Sequence, residues 1–254
     1  MAKLKAAVLI LAAAATAHAD WAILSTALEP GRAGVVHRHA VLENATGDGR
    51  AVVDLAIFAA KSCTLRVIQN RDGANNLAEA MTREKCLAGV NGGYFDADFA
   101  PIGLRIVDGQ MIAPLRRARP ITGALTASAR GVQIVRAREF SQQQKANAAL
   151  QCGPFLVDLG KHVRGLDDSH LARRTFAATG TNDRALLGVC SEISLAELAN
   201  ILATTPLAED FKIQRALNLD GGSSTAFWFR RESGGAFSIP EQKPLRDFVA
   251  VVSE

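Results

Sequence analysis

Four short stretches of the chain put polar groups beside glycines, an arrangement that can hold a ligand. In LNLDGGSST, Leu217 to Thr225, an apolar run ends on Asp220, then gives Gly221 and Gly222, then three hydroxyls. A carboxylate at a strand end can face a cleft, and paired glycines let the backbone turn and approach a ligand closely. Ser223 and Ser224 add hydroxyls and backbone N–H groups suited to anionic oxygens. A plain Asp-Gly turn would look the same in isolation. GVNGGYF repeats the design: Asn91 closes a strand, Gly92 and Gly93 turn it, and Tyr94 and Phe95 supply an aromatic wall suited to a sugar face. An Asn-Gly hairpin with two core aromatics is the plainer alternative. In QCGPFLV, Gly153 and Pro154 make a rigid kink at a strand start. In ARRTFAATG, Arg174 and Thr175 open a strand, and an arginine fork can clamp a phosphate with two parallel hydrogen bonds.

Taken in order, Asn91-Gly92-Gly93-Tyr94-Phe95, Gly153-Pro154, Arg174-Thr175 and Asn218-Leu219-Asp220-Gly221-Gly222-Ser223-Ser224 resemble the motifs of the phosphodiester glycosidase family. The resemblance runs from about Val35 to Ser253, and Pro101-Ile102-Gly103-Leu104 and Gln151-Cys152-Gly153-Pro154 resemble its bacterial branch. Ser223 stands where the family usually has a third glycine, and Phe176 follows Arg174-Thr175, with a glycine arriving only at Gly180. The resemblance implies an exported hydrolase that cleaves the glycosidic bond of a sugar-1-phosphodiester of the N-acetylglucosamine-1-phosphate type. Free sugar and a phosphomonoester would be released.

That reaction sets physical demands. Its transition state resembles an oxocarbenium ion, which a carboxylate stabilises. Its leaving group is a phosphate, which needs charge stabilisation more than protonation. On this reading Asp220 is base or electrostatic stabiliser, Arg174 clamps the phosphate, and Asn91 positions the sugar or the attacking water. The Gly92-Gly93 and Gly221-Gly222 amides, with Ser223 and Ser224, hold ligand oxygens. Asp96 and Asp98 are the weaker candidates for a second carboxyl. Two rival readings are a binding module that holds an envelope glycan or phospho-sugar without cleaving it, and a glycosidase of sugar–sugar bonds. The second would need a general acid, and none stands beside the motifs.

The elements that must position these residues are mostly strands. Val35–Leu42, Ala51–Ala59 and Thr64–Gln69 read as strands. Pro101–Leu115 reads as a hairpin turned at Asp108-Gly109, and Phe155–Val163 and Ala177–Cys190 as two more. Arg215–Leu219 makes a short buried strand. Ser194 with Glu197 three residues on forms a capping box at the head of a helix over 194–205. Asn75–Lys85 reads as a second helix and Ser141–Leu150 as a third. The expected fold is α+β, a single domain with a large, mostly antiparallel twisted sheet flanked by a few helices.

The first nineteen residues read as a secretory signal peptide. Lys3 and Lys5 precede an apolar run, which closes on the small-x-small pattern Ala17-His18-Ala19. The run is shorter than the roughly 20 apolar residues a membrane span needs. The phosphodiester glycosidase-like domain then occupies 20–254, and the expected location is periplasmic or secreted. Without Lys3 and Lys5 the formal charge of +4 falls by two. Lys and Arg are scattered along the chain, which gives no case for a nucleic-acid groove. Export invites disulfides, and the favoured pairing of the four cysteines is Cys63–Cys86 and Cys152–Cys190, against the alternative of buried free thiols. No cofactor is expected. His37 and His39 share a strand face without a third ligand nearby, and no Cys-x-x-Cys exists for zinc. A divalent cation on Asp220 would suit a phosphate substrate, but no oxygen-ligand cage is visible. There is neither a phosphate-binding P-loop nor a G-x-S-x-G elbow.

Overall fold

The computed structural model describes residues 21–141, 145–208 and 210–254. The signal-peptide expectation falls on residues outside that set. Strands dominate, and among the described residues every strand pair is antiparallel. Numbered in chain order, they form three sheets rather than the one large sheet expected. The first sheet runs β1 (Trp21–Pro30), β2 (Val36–Asn44), β3 (Arg50–Ala59), β14 (Arg184–Ile193), β13 (Ala172–Gly180), β15 (Ile213–Asn218), β11 (Phe155–Asp158), β12 (Lys161–His162). The second runs β7 (Gln110–Ala113), β6 (Arg105–Val107), β10 (Ala148–Cys152), β8 (Gly123–Ser128), β9 (Gly131–Arg136). The third runs β17 (Ala236–Ile239), β16 (Phe227–Arg230), β5 (Ala88–Asn91), β18 (Asp247–Ser253), β4 (Cys63–Gln69).

Period-2 patterning explains the layering. Leu187, Val189, Ala177 and Leu217 of the first sheet share a core with Leu125, Ala127 and Leu150 of the second and Val67, Val90 and Val249 of the third. The opposite face of the first sheet is covered by α2 (Leu195–Thr204), whose Leu198, Ala199, Ile201 and Leu202 are buried. The third sheet is covered by α1 (Leu77–Arg83) through Leu77, Ala80 and Met81. Both helices start on a capping box, Ser194 with Glu197 and Asn76 with Glu79. The hairpin turn at Asp108-Gly109 has φ of 47° and 77°, the left-handed pair that a two-residue turn requires. The third expected helix does not form where the chain is described: Ala148–Leu150 belong to β10. Among the described residues no helix is long and apolar enough to cross a membrane.

The two expected disulfides are absent, and all four cysteines are buried thiols. β18 lies between the strand of Cys63 and the strand that follows Cys86. Two strand spacings make about 9–10 Å, beyond the roughly 7 Å between Cα atoms that a disulfide can span. Cys152 and Cys190 enter separate cores. Burial pushes the Cys152 and Cys190 thiols up to about 12 and the Cys86 thiol to about 11.

Candidate active site

The ends of β5 and β15 meet at one corner. Asn91 closes β5 and is fully buried. Its Nδ2 donates to the Asp220 carbonyl at 2.7 Å, and its Oδ1 accepts from the Thr175 hydroxyl at 2.7 Å and the Ala226 N–H at 3.1 Å. The Asp220 N–H donates to the Gly92 carbonyl at 3.3 Å. Asn91 was expected to touch sugar or water. With its amide committed at both ends inside the protein, it holds the Asp220 turn instead.

Asp220 is the carboxylate this corner presents. Its side chain is 15% exposed. Oδ1 accepts from the Gly221 N–H at 3.0 Å and Oδ2 from the Ser224 hydroxyl at 2.5 Å. Burial raises its pKa above the ordinary 3.8, against the opposing pull of Ser224, Lys243 and the Gly221 amide. The Lys243 ammonium stands 4.0 Å from Oδ2 and 4.9 Å from the centre of the Phe95 ring. Ser224 thus spends its hydroxyl on Asp220, whereas Ser223 is exposed. Gly222, at φ 62°, has open space where a Cβ would sit. Among the described residues the Gly222 and Ser223 N–H groups make no hydrogen bond.

Gly92 and Gly93 serve a different purpose from the expected ligand contact. Their N–H groups donate to the Asp247 carbonyl and to Asp247 Oδ1, at 2.9 and 3.0 Å. A Cβ on Gly92 would lie 1.8 Å from Asp247 Oδ1, and one on Gly93 2.1 Å from Arg105 Nη2. The glycines admit a buried ion pair. Arg105 Nε meets Asp247 Oδ2 at 2.7 Å, and the Arg105 terminal nitrogens donate to the carbonyls of Leu104, Gln151 and Tyr94.

Tyr94 joins the corner to the second sheet. Its hydroxyl donates to the Gly153 carbonyl at 2.7 Å and accepts from Asn218 Nδ2 at 3.0 Å. Burial raises its pKa far above the usual phenol value, so the hydroxyl keeps its proton. Gly153-Pro154 is a cis peptide whose Pro154 carbonyl accepts from the Asn218 N–H. Phe95 packs edge-on against Phe99 and is half-buried, leaving part of its ring beside Lys243.

Arg174 lies deeper than a clamp would. Its Nε donates to the Ile193 carbonyl at 2.9 Å and its Nη2 to the His170 carbonyl at 2.5 Å, so that edge of the fork is taken. Burial lowers its pKa, and Tyr94 lies within its electrostatic reach. Its neighbour Arg173 turns toward the Asp220 turn, with Nε donating to the Gly222 carbonyl at 3.2 Å and Nη2 buried without a partner. Asp96 accepts from the N–H groups of Asp98 and Ala100 and so closes its own loop, while Asp98 is exposed. His37 and His39 both bond Asp54 Oδ1, at 2.8 and 3.0 Å. Among the described residues no three His, Cys, Asp or Glu side chains converge with metal-binding geometry.

A sequence model of the family described as phosphodiester glycosidase matches residues 84–252. The chain belongs to that family. The match takes in every corner just described, from Asn91 to Asp247. No curated protein sequence matches significantly. Among solved structures, the chain is similar to the zebrafish N-acetylglucosamine-1-phosphodiester alpha-N-acetylglucosaminidase catalytic domain, auto-inhibited by its pro-peptide. The two share 14% identity with a TM-score of 0.65, over 91% of this chain and 88% of that one. A hypothetical protein from Synechocystis is 15% identical with a TM-score of 0.59, over 87% of this chain and 62% of the other. A Burkholderia pseudomallei protein is 14% identical with a TM-score of 0.57, over 81% and 74%. At these identities the likeness is one of fold.

Proposed function

We propose that this family member hydrolyses the glycosidic bond of a sugar-1-phosphodiester of the N-acetylglucosamine-1-phosphate kind, with Asp220 acting at the anomeric carbon. One observation carries the reading: a carboxylate mostly buried yet still reachable, its pKa raised by burial, fixed by two hydrogen bonds beside a lysine. A raised pKa makes Asp220 a stronger base toward water, and its negative charge faces the developing oxocarbenium ion. The phosphate lies against Lys243 and the open N–H groups of Gly222 and Ser223, which stabilise the leaving anion without protonating it. Asp96 can therefore remain in its own loop, since no second carboxyl is needed. The exposed part of Phe95 takes the sugar face. Asn91 and Thr175 hold the Asp220 backbone, and Arg174 adds positive potential from beneath while Tyr94 and Gly153-Pro154 brace the wall. Export follows from the leader-like pattern of the first nineteen residues.

The test is product analysis. The purified protein should release free N-acetylglucosamine from a methyl N-acetylglucosamine-1-phosphodiester, and Asp220→Asn should abolish release without lowering the Tm. Undiminished release by Asp220→Asn would remove Asp220 from the mechanism. Tight binding of the intact phosphodiester with no sugar release from the wild type would favour a binding module.

A further inference from the structure

Two adjacent arginines open β13, and they divide their hydrogen bonds differently. Arg174 spends Nε and Nη2 on the Ile193 and His170 carbonyls. Arg173 spends only Nε, on the Gly222 carbonyl at 3.2 Å. Its Nη2 is buried without a partner, and its Nη1 makes no hydrogen bond either. Among the described residues no carboxylate lies within ion-pair distance of Arg173. A buried charged donor left open is costly, and native structures keep few of them. The two nitrogens left over form the end of the guanidinium, whose parallel N–H groups match two oxygens of one phosphate.

Two contacts put Arg173 at the Asp220 turn. The main chain touches it first: a Cβ on Gly221 would lie 2.8 Å from the Arg173 carbonyl, so a glycine is needed for the turn to lie against β13. The Nε bond then reaches the next residue, Gly222. Pairing between β13 and β14 is irregular between Ala172 and Arg174, and such irregularities re-aim side chains. From Arg173 Nε the path to Asp220 Oδ1 runs through the Gly222 carbonyl, the main chain of Gly222 and Gly221, and the Gly221 N–H. Its full length is at most about 13 Å, and the turn bends it shorter. A phosphodiester with its anomeric carbon at a carboxylate and its far phosphate oxygen at a cation spans about 10 Å at ordinary contact distances. The next carbonyl of the turn, that of Ser223, accepts from the Gln242 N–H at 2.8 Å, which brings Lys243 to Asp220. Two cations thus attend one turn.

We infer that Arg173 grips the substrate's phosphate through Nη1 and Nη2, the part expected of Arg174. The inference rests on the phosphodiester reading above and adds to it the side chain that holds the departing phosphate. Nε stays on the Gly222 carbonyl while the free end of the guanidinium takes two phosphate oxygens. The ligand thereby completes the donor that the protein leaves open, and Arg173 locks the turn carrying Asp220 to the group that leaves.

Calorimetry with methyl phosphate, the phosphomonoester product, tests the contact without reference to turnover. Arg173→Gln should bind methyl phosphate at least tenfold more weakly than the wild type and free N-acetylglucosamine equally well. Arg173→Lys, which keeps the charge but not the fork, should fall between the two for methyl phosphate. No binding of methyl phosphate by the wild type, or equal affinity in Arg173→Gln, overturns the inference. So does an equal loss for sugar and phosphate with Arg173→Lys no better than Arg173→Gln, which would make Arg173 a structural support of the turn. With the methyl N-acetylglucosamine-1-phosphodiester as substrate, Arg173→Gln should lower kcat/KM about a hundredfold, and wild-type kcat/KM in that variant also overturns it. Absence of sugar release by the wild type would sink the hydrolase reading, while the methyl phosphate titrations would still decide the role of Arg173.

Discussion

Asn91 donates a 2.7 Å hydrogen bond to the backbone carbonyl of Asp220, 129 residues away in the chain. The bond fixes the main chain of the carboxylate residue, while the carboxylate itself is held by the Gly221 N–H and the Ser224 hydroxyl. It also makes Asn91 an internal brace whose loss is felt in two ways. Asn91→Ala strands the Ala226 N–H and the Asp220 carbonyl in a dry interior and leaves the Thr175 hydroxyl only its 3.3 Å contact with the Thr225 hydroxyl. Urea unfolding should show a loss of roughly 2–4 kcal/mol, from buried polar groups left without partners. The folded fraction should also turn over more slowly than wild type, because the Asp220 turn is no longer held. Wild-type kcat with reduced stability would separate Asn91 from catalysis.

Asp220 makes a pH prediction whose sign follows from its raised pKa. Its ionised form is the base, so turnover climbs as pH rises through a pKa above 3.8, and the acid limb lies on the alkaline side of an ordinary aspartate. Ser224→Ala removes a hydrogen bond that favours the ionised form, so the limb should move further toward alkaline pH. A limb at or below the ordinary value would contradict the assignment.

The same shift has a consequence for stability. The folded chain holds the Asp220 proton more tightly than the unfolded chain does. Asp220 therefore withdraws stability as pH rises from its unfolded value through its raised folded one. Asp220→Asn never ionises there, so above that window its Tm should equal or exceed that of wild type, and the difference should vanish in acid. Calorimetry across pH checks this; a lower Tm for the variant at neutral pH would contradict it.

The Arg105–Asp247 pair is buried on both sides, each side chain about 2% exposed. Arg105→Met leaves Asp247 charged and unpaired, which costs on the order of 3–5 kcal/mol. Gly93→Ala should also destabilise, because its Cβ would meet Arg105 Nη2 at 2.1 Å. Chemical denaturation measures both.

Buried, raised thiols react slowly. A thiol reagent should leave the four cysteines of the native protein largely unmodified and label all four after unfolding. Reductant should leave the Tm unchanged; a reductant-dependent Tm would reveal a disulfide.

Legibility in the sequence tracked locality. The Asp108-Gly109 hairpin and the Ser194 helix start rest on interactions a few residues long, and both formed as read. β1 gave no signal because it is mostly exposed and lacks an apolar alternation. The glycine corners were visible, but what they admit was not: Arg105 and Asp247 lie 142 residues apart, and neither carries a motif. Lys243 was missed for the same reason, sitting in a polar loop with nothing nearby to mark it. The cysteine pairing failed because even counts carry no information about which core each thiol enters.

The Tyr94 hydroxyl ties a turn after the third sheet to Gly153 beside the second and Asn218 of the first. No one sheet can peel away while that knot stays tied. Amide protons at Asn91 and Asn218 should therefore exchange with solvent only through whole-molecule opening, and catalysis should fail at the same temperature as the fold. Thermal inactivation becomes a direct readout of global cooperativity.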